Sequence, residues 1–273
     1  MRFDLHVHYD GGDLTGRELV ARMNAAGIDG GVVLSESPIA FLETELRRPK
    51  ERIDRVMKLT EGCDTLFPFF FIDPTEPDAL EQVDMAVEAG IRGFKTICTH
   101  FFPDDPRAVP VYHKIAATGK PYLFHSGILY DGSNASGNFN RPCNFEVLLN
   151  IPRLRFALAH ISWPWCDECI AVFGKFMDYL SHSKDADAPE MFVDITPGTP
   201  RLYRKDALAK LFDMPQAANQ VLWGSDSHVW DYNIEHAQTW RARDEQILHE
   251  LELPADTAQK LYEDNFRRFL GIQ

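Results

Sequence analysis

The stretch Phe3-Asp4-Leu5-His6-Val7-His8 opens the chain with an alternating run that ends in two histidines. In a strand, alternate residues share a face. His6 and His8 are therefore expected to point together, with Leu5 and Val7 turned the other way. Same-face neighbours lie about 6–7 Å apart, close enough for two imidazoles to reach one metal ion. Taken alone, the pair also describes a polar strand end with two hydrogen-bonded histidines. The fold turns on whether later strands end in the same way.

Working outward, further strand-like runs fall at residues 31–36, 66–73, 93–99, 121–125, 155–160, 191–196 and 221–226. Helix-like patterns alternate with them at 14–26, 49–61, 76–89, 109–118, 143–150, 167–182, 205–212, 233–250 and 255–270. Thr15 and Glu18 read as a capping box. Gly27, Gly90 and Gly119 stand where helices should stop. Such alternation is the α/β pattern, and the nearly continuous apolar strands are expected to be covered on both faces. The repeats predict a single (β/α)8 TIM barrel, one domain over residues 1–273. A doubly wound open sheet would instead carry a glycine-rich phosphate cradle after its first strand. His8-Tyr9-Asp10-Gly11-Gly12 is no such cradle.

Composition agrees with a large core: 45 % of the 273 residues are hydrophobic, with 19 Phe and 5 Trp. No apolar run approaches the 18 or so residues of a membrane span. The first strand begins at once, leaving no room for a signal peptide, and five cysteines read as reduced thiols in a cytoplasmic protein. A formal net charge of -13 disfavours non-specific binding to nucleic acid or anionic membrane. It leaves an anionic small substrate open, because a local Arg, Lys or metal dominates inside a cleft.

The strand ends carry the chemistry. His6 and His8 close the first strand, His125 the fifth, His160 the sixth and Asp226 the eighth, while Lys95 lies inside the fourth. A barrel gathers the carboxyl ends of its strands on one face. A lone buried His is usually a core residue and a lone Asp after a strand a helix cap, but recurrence at equivalent ends points to a metal site. Such ligands suit Zn²⁺ first, with Mn²⁺, Fe²⁺, Co²⁺ or Ni²⁺ as alternatives. A bound water would become the nucleophile, with Asp226 as ligand and proton acceptor. Lys95 would bridge two metals if carbamylated; unmodified, it offers a cation to a substrate carboxylate or forms a buried ion pair. Cys166-Asp167-Glu168-Cys169 lacks a second cysteine pair and reads as two ordinary thiols. His100, His113, His182, His236 and His249 read as surface or loop residues.

These pieces, in this order, resemble the amidohydrolase superfamily. The likeness is strongest to its branch of TIM-barrel metal-dependent hydrolases that also holds the aminocarboxymuconate-semialdehyde decarboxylase-like enzymes. It is carried by Phe3–His8, Gly93-Phe94-Lys95, Leu123-Phe124-His125-Ser126-Gly127 and Phe156-Ala157-Leu158-Ala159-His160. It continues through Trp163-Pro164-Trp165-Cys166-Asp167-Glu168, Phe192-Val193-Asp194, Leu222-Trp223-Gly224-Ser225-Asp226 and the closing Asn265-Phe266-Arg267-Arg268-Phe269-Leu270-Gly271. The resemblance implies that His6, His8, His125 and Asp226 hold a metal, with His160 beside it as ligand, base or polariser. It also implies a mononuclear site in which Lys95 need not be carbamylated. Lys95, Arg141, Trp163 and His228 are the candidate substrate-binding residues. Two departures stand out: Ile161-Ser162 where many relatives place a glycine after the histidine, and Ser227-His228 where they often have an aromatic residue and a proline. The segment 127–142, with Tyr130, Asn134, Asn138, Asn140 and Arg141, reads as a pocket wall or lid.

The expected activity is metal-dependent hydrolysis of a small carbonyl compound (amide, ester or lactone), with Asp226 and His160 as catalytic residues. Non-oxidative decarboxylation of a small unsaturated or aromatic carboxylic acid is the alternative. One divalent ion, Zn²⁺ first, is the expected cofactor. The expected partner is a small molecule, anionic if Lys95 or Arg141 meets it; a homodimer is left open.

Overall fold

The computed structural model describes residues 1–38, 47–130, 136–182 and 187–272. Its strands are β1 (Phe3–His8), β2 (Gly30–Leu34), β3 (Leu66–Phe71), β4 (Gly93–Thr96), β5 (Tyr122–Phe124), β6 (Arg155–Leu158), β7 (Glu190–Asp194), β8 (Val221–Leu222) and β9 (Ser227–His228). All pairings are parallel, and the ladder runs β8-β7-β6-β5-β4-β3-β2-β1-β9. Of the expected eighth strand, residues 221–226, only Val221–Leu222 forms a strand, paired with β7. A further strand just past its expected end, Ser227–His228, pairs with β1, and Leu5 N–H donates to Trp223 O between the two at 3.0 Å. The result is a barrel-like α/β fold of alternating strands and helices.

The longer helices are α1 (Gly16–Ala25), α2 (Pro49–Thr60), α3 (Ala79–Ala89), α4 (Val109–Ala117), α5 (Cys166–His182), α6 (Arg201–Phe212) and α7 (Ile234–Glu250), and the chain closes on a helical run through Thr257–Gln259, Lys260–Asp264 and Asn265–Leu270. The Thr15–Glu18 capping box is formed, and Gly90 ends α3 in the left-handed region at φ 94°, where a side chain would cost free energy. Residues 143–150, expected as an α-helix, lie in tighter 3-10 turns over Pro142–Asn150, closed by Ile151 N–H to Leu148 O at 3.1 Å. Among the described residues no helix is long and apolar enough to cross a membrane.

Two apolar layers hold the fold. An inner cluster includes Phe3, Leu5, Val32, Leu34, Phe69, Leu123, Ala157, Phe192 and Leu222, and Phe266 stacks on Phe3 with ring centroids 4.5 Å apart. A larger outer cluster packs strands against helices. Each fully buried Leu or Phe contributes on the order of 1.5–3 kcal/mol. One expectation is corrected here: Leu5 and Val7 do not share a face. Leu5 belongs to the inner cluster and Val7 to the outer one. The register of β1 against β2 shifts between Asp4 and Val7, and one irregular step reverses which residues point inward. Leu5 fills the barrel and the next inward positions are His6 and His8.

Candidate metal centre

The strand-end side chains do converge. His6 Nε2 lies 3.7 Å from Asp226 Oδ1, and His8 Nε2 lies 3.3 Å from the same oxygen. Ring centroids of His6 and His160 are 5.2 Å apart, and those of His125 and His160 are 4.9 Å apart. Lys95, fully buried on β4, brings Nζ within 3.5 Å of His6 Nε2. His6, His160 and Asp226 each present a ligand atom within 4.8 Å of the others, a group that could hold one divalent ion. A second observation fits such an ion: His125 Nε2 is buried with no hydrogen-bond partner. A buried polar atom left unpaired costs free energy, and a ligand bond would satisfy it.

Local backbone explains why His160 and Asp226 reach the centre. His160, Ile161 and Ser162 take left-handed φ values of 62°, 45° and 55°, and Asp226 sits at 57°. Non-glycine residues held there carry strain, and such strain gathers at functional sites. The turn after β6 is tied by Ser162 Oγ donating to Ser126 Oγ at 2.8 Å, beside His125. A Cβ on Gly198 would stand 2.8 Å from His160 Cβ, and one on Gly224 would stand 2.8 Å from His6 Cβ. Both positions therefore require glycine for close approach.

Electrostatics set the protonation states. Burial, then the Lys95 charge, hold His6 below the usual imidazole range; burial and the facing His160 do the same for His125. Both are neutral imidazoles, the form that ligates metal. Loss of solvent works to raise the Asp226 carboxyl, but the His8 hydrogen bond and the surrounding imidazoles of His160, His6 and His8 hold it well below the ordinary carboxylate range. Burial lowers Lys95 to about 8, against the pull of Asp194 and Asp226.

The other expected residues lie further out. His228 packs on His8, ring centroids 5.5 Å apart, and its Nδ1 is bonded to Asp10. Trp163 stacks on Tyr203 at 4.9 Å. Arg141 is half exposed, with Nε donating to Glu168 at 2.8 Å and its guanidinium over Trp165; the structure does not bring it to the histidines. Asn134 lies outside the described residues. Asn140 is buried and ties Cys98 on both sides, through its Nδ2 to Cys98 O at 2.7 Å and Cys98 N–H to its Oδ1 at 3.2 Å.

Sequence reasoning assigned no role to Asp194 or Asp10. Asp194, wholly buried at the end of β7, has Oδ2 2.9 Å from His6 Nδ1, while its Oδ1 accepts from Thr196 N–H at 2.8 Å and from the Thr196 hydroxyl. His160 Nδ1 lies 3.0 Å from Pro197 O. The signal for Asp194 was its place at a strand end, shared with His6, His125 and Asp226.

Known structures share this architecture. An uncharacterised TIM-barrel protein from Bordetella bronchiseptica is 18 % identical, with TM-score 0.71 over 99 % of this chain and 98 % of that one. A probable 2-pyrone-4,6-dicarboxylic acid hydrolase from Acinetobacter baumannii, crystallised with citric acid, is 13 % identical, with TM-score 0.62 over 99 % of both chains. A 5-carboxyvanillate decarboxylase from Novosphingobium aromaticivorans, complexed with manganese, is 12 % identical, with TM-score 0.60 over 93 % and 79 %. At these identities the likeness is one of fold. No curated protein matches the chain. The amidohydrolase family profile matches residues 3–272. A match that runs from the first residue of β1 to the last described residue leaves one conclusion: this chain belongs to the amidohydrolase family.

Proposed function

We propose that this protein is a metal-dependent hydrolase of a small carbonyl compound (amide, ester or lactone), built as a single barrel domain whose ring closes through residues 221–228. The proposed ligands are His6, His8, His125, His160 and Asp226 around one divalent ion, Zn²⁺ first. When bound, such an ion polarises a carbonyl and lowers the pKa of a water to about 7.

The observation that carries the reading is the state of Asp226. It is a carboxylate at neutral pH, one third exposed at the edge of the histidine cluster, 3.3 Å from His8. A base in that position accepts a proton from the attacking water and returns it to the leaving group. Lys95 would offer an N–H to a substrate oxygen, with His160 in the turn after β6 beside the same ion. His228 and Trp163 are the proposed substrate contacts; Arg141 joins them only if it leaves Glu168.

Decarboxylation is the second reading, favoured by one observation: a buried lysine beside the histidines supplies a cation for a carboxylate. A panel assay on metal-loaded protein separates the two. Small lactones, esters and amides are followed by acid release, and unsaturated or aromatic carboxylic acids by CO₂ release. Hydrolysis that disappears in Asp226→Asn supports the proposal. CO₂ release without hydrolysis of any panel member would replace it with the second reading.

A further inference from the structure

β7 contributes no expected ligand, yet the chain at its end touches two of them. The end of β7 and the residues after it meet His6 from β1 and His160 from β6, and each contact is made to Nδ1. Pro197 O can only accept, so His160 Nδ1 carries the proton. For His6 the same answer comes from the other side of the ring. Nε2 faces Lys95 Nζ at 3.5 Å; an Nε2–H there would set donor against donor, because an ammonium has no acceptor. The proton therefore sits on Nδ1 and is donated to Asp194 Oδ2. In both rings the bond made by one nitrogen fixes the lone pair on the other.

We infer that the segment Asp194–Gly198 is an orienting frame: Asp194 and the Pro197 carbonyl hold His6 and His160 as Nε2 ligands, with Asp194 a positioning residue rather than a ligand. The inference rests on the reading of His6 and His160 as metal ligands. The frame is itself rigidly held. Asp194 Oδ1 takes both the N–H and the hydroxyl of Thr196. Gly198 lies so close to the His160 ring that a Cβ would meet its Cβ, Cγ and Nδ1 at 2.8–3.1 Å. Thr196 Oγ1 in turn lies against Gly224, whose added Cβ would be 2.3 Å from it. The frame thus also abuts the chain that carries Asp226.

Asp194→Asn tests the frame with little change of shape. Thr196 supplies two donors to Oδ1, so an amide settles with its oxygen toward Thr196 and its NH₂ toward His6. That geometry demands a lone pair on Nδ1 and moves the proton to Nε2, the wrong tautomer for a ligand. Loss of an outer partner of this kind costs about 10–100-fold in metal affinity. The expected results are that loss, by chelator competition with Zn²⁺ on the full chain, and an altered visible spectrum of the Co²⁺-substituted protein, with unchanged circular dichroism. His6→Ala run alongside separates premise from inference. Native Zn²⁺ affinity in His6→Ala overturns the ligand reading; loss in His6→Ala with native affinity and spectrum in Asp194→Asn overturns the frame alone. Should Asp194→Asn fail to fold, long-range ¹H–¹⁵N spectra of the zinc-loaded native chain decide. Nδ1–H on both His6 and His160 supports the frame, and Nε2–H on either refutes it.

Discussion

Lys95 Nζ and His6 Nε2 stand 3.5 Å apart in a fully buried setting, so the lone pair expected to bind metal is also the acceptor nearest the lysine. One lone pair cannot serve both. Once Nε2 is committed as a ligand, Nζ is free to meet a substrate oxygen. A carbamate on Lys95 would instead add a negative charge beside Asp194 and Asp226, which requires a second ion. We predict one equivalent of metal per chain and an unmodified Lys95. Lys95→Ala should keep close to one equivalent while raising KM or lowering kcat at least tenfold. Two equivalents, with a carboxylated Lys95 bridging them in a crystal, would overturn this.

Metal loading should stabilise the fold through His125 and Asp226. A ligand that binds only the folded state, at a free concentration 100 times its Kd, contributes about 2.7 kcal/mol. The unpaired His125 Nε2 gives the metal-free protein a cost on the order of 1–3 kcal/mol that ligation removes. Added Zn²⁺ should therefore raise the melting temperature of the native chain. His125→Ala and Asp226→Ala should show little or no rise and lose bound metal, with native circular dichroism. Full metal retention in His6→Ala, His8→Ala, His125→Ala and Asp226→Ala alike would end the assignment.

Much of this site was legible because it follows strand ends. Phe3–His8, the Lys95 strand and the residues closing β5, β6 and the expected eighth strand were placed from alternation alone, and the topology then brought them together. What was not legible depends on contacts between distant segments. Leu5 turns inward because of a register shift, which no periodicity reveals. Arg141 reads as a pocket residue by its neighbours in sequence, and that spacing does not show its pairing with Glu168. Asp194 showed its strand-end position and hid its role, since that role is a bond to a histidine 188 residues away. The residues 143–150 had helical spacing, yet adopt tighter turns after Pro142.

A buried ion pair outside the barrel should matter for stability. Arg204 on α6 and Asp244 on α7 are both fully buried and bonded twice, Nε to Oδ1 at 2.6 Å and Nη2 to Oδ2 at 2.7 Å. The pair also receives the Trp223 indole at 3.0 Å and reaches Ile195 O at 2.6 Å, just past the ends of β8 and β7. Removing one partner strands the other charge, at a cost of about 3–5 kcal/mol. Asp244→Ala should lose about that much in urea denaturation, and a double replacement Arg204→Met with Asp244→Leu should lose less. Equal losses would show that the charges themselves are not what matters.

The cysteines provide a last check, because they test a negative assignment. Cys166 and Cys169 are buried at the start of α5, and burial pushes their thiols up to about 11 and about 12. A hydrogen bond with Ser162 pulls the Cys169 value down without offsetting the burial. Thiolate is the reactive and ligating form. At pH 8 a thiol of pKa about 11 is ionised on the order of one part in a thousand. Cys143 is the exposed thiol and Cys63 is partly exposed, whereas Cys98 is buried with its thiol well above the usual range. Iodoacetamide at pH 8 should therefore modify Cys143 first and Cys63 next, leaving Cys98, Cys166 and Cys169 untouched until the protein is unfolded. Raising the pH to 9 should not expose the buried three. The double variant Cys166→Ser, Cys169→Ser should bind one equivalent of metal with native affinity. Loss of stoichiometric metal from that variant, with its fold intact, would place a thiolate in the centre and contradict the nitrogen and oxygen ligand set proposed for it.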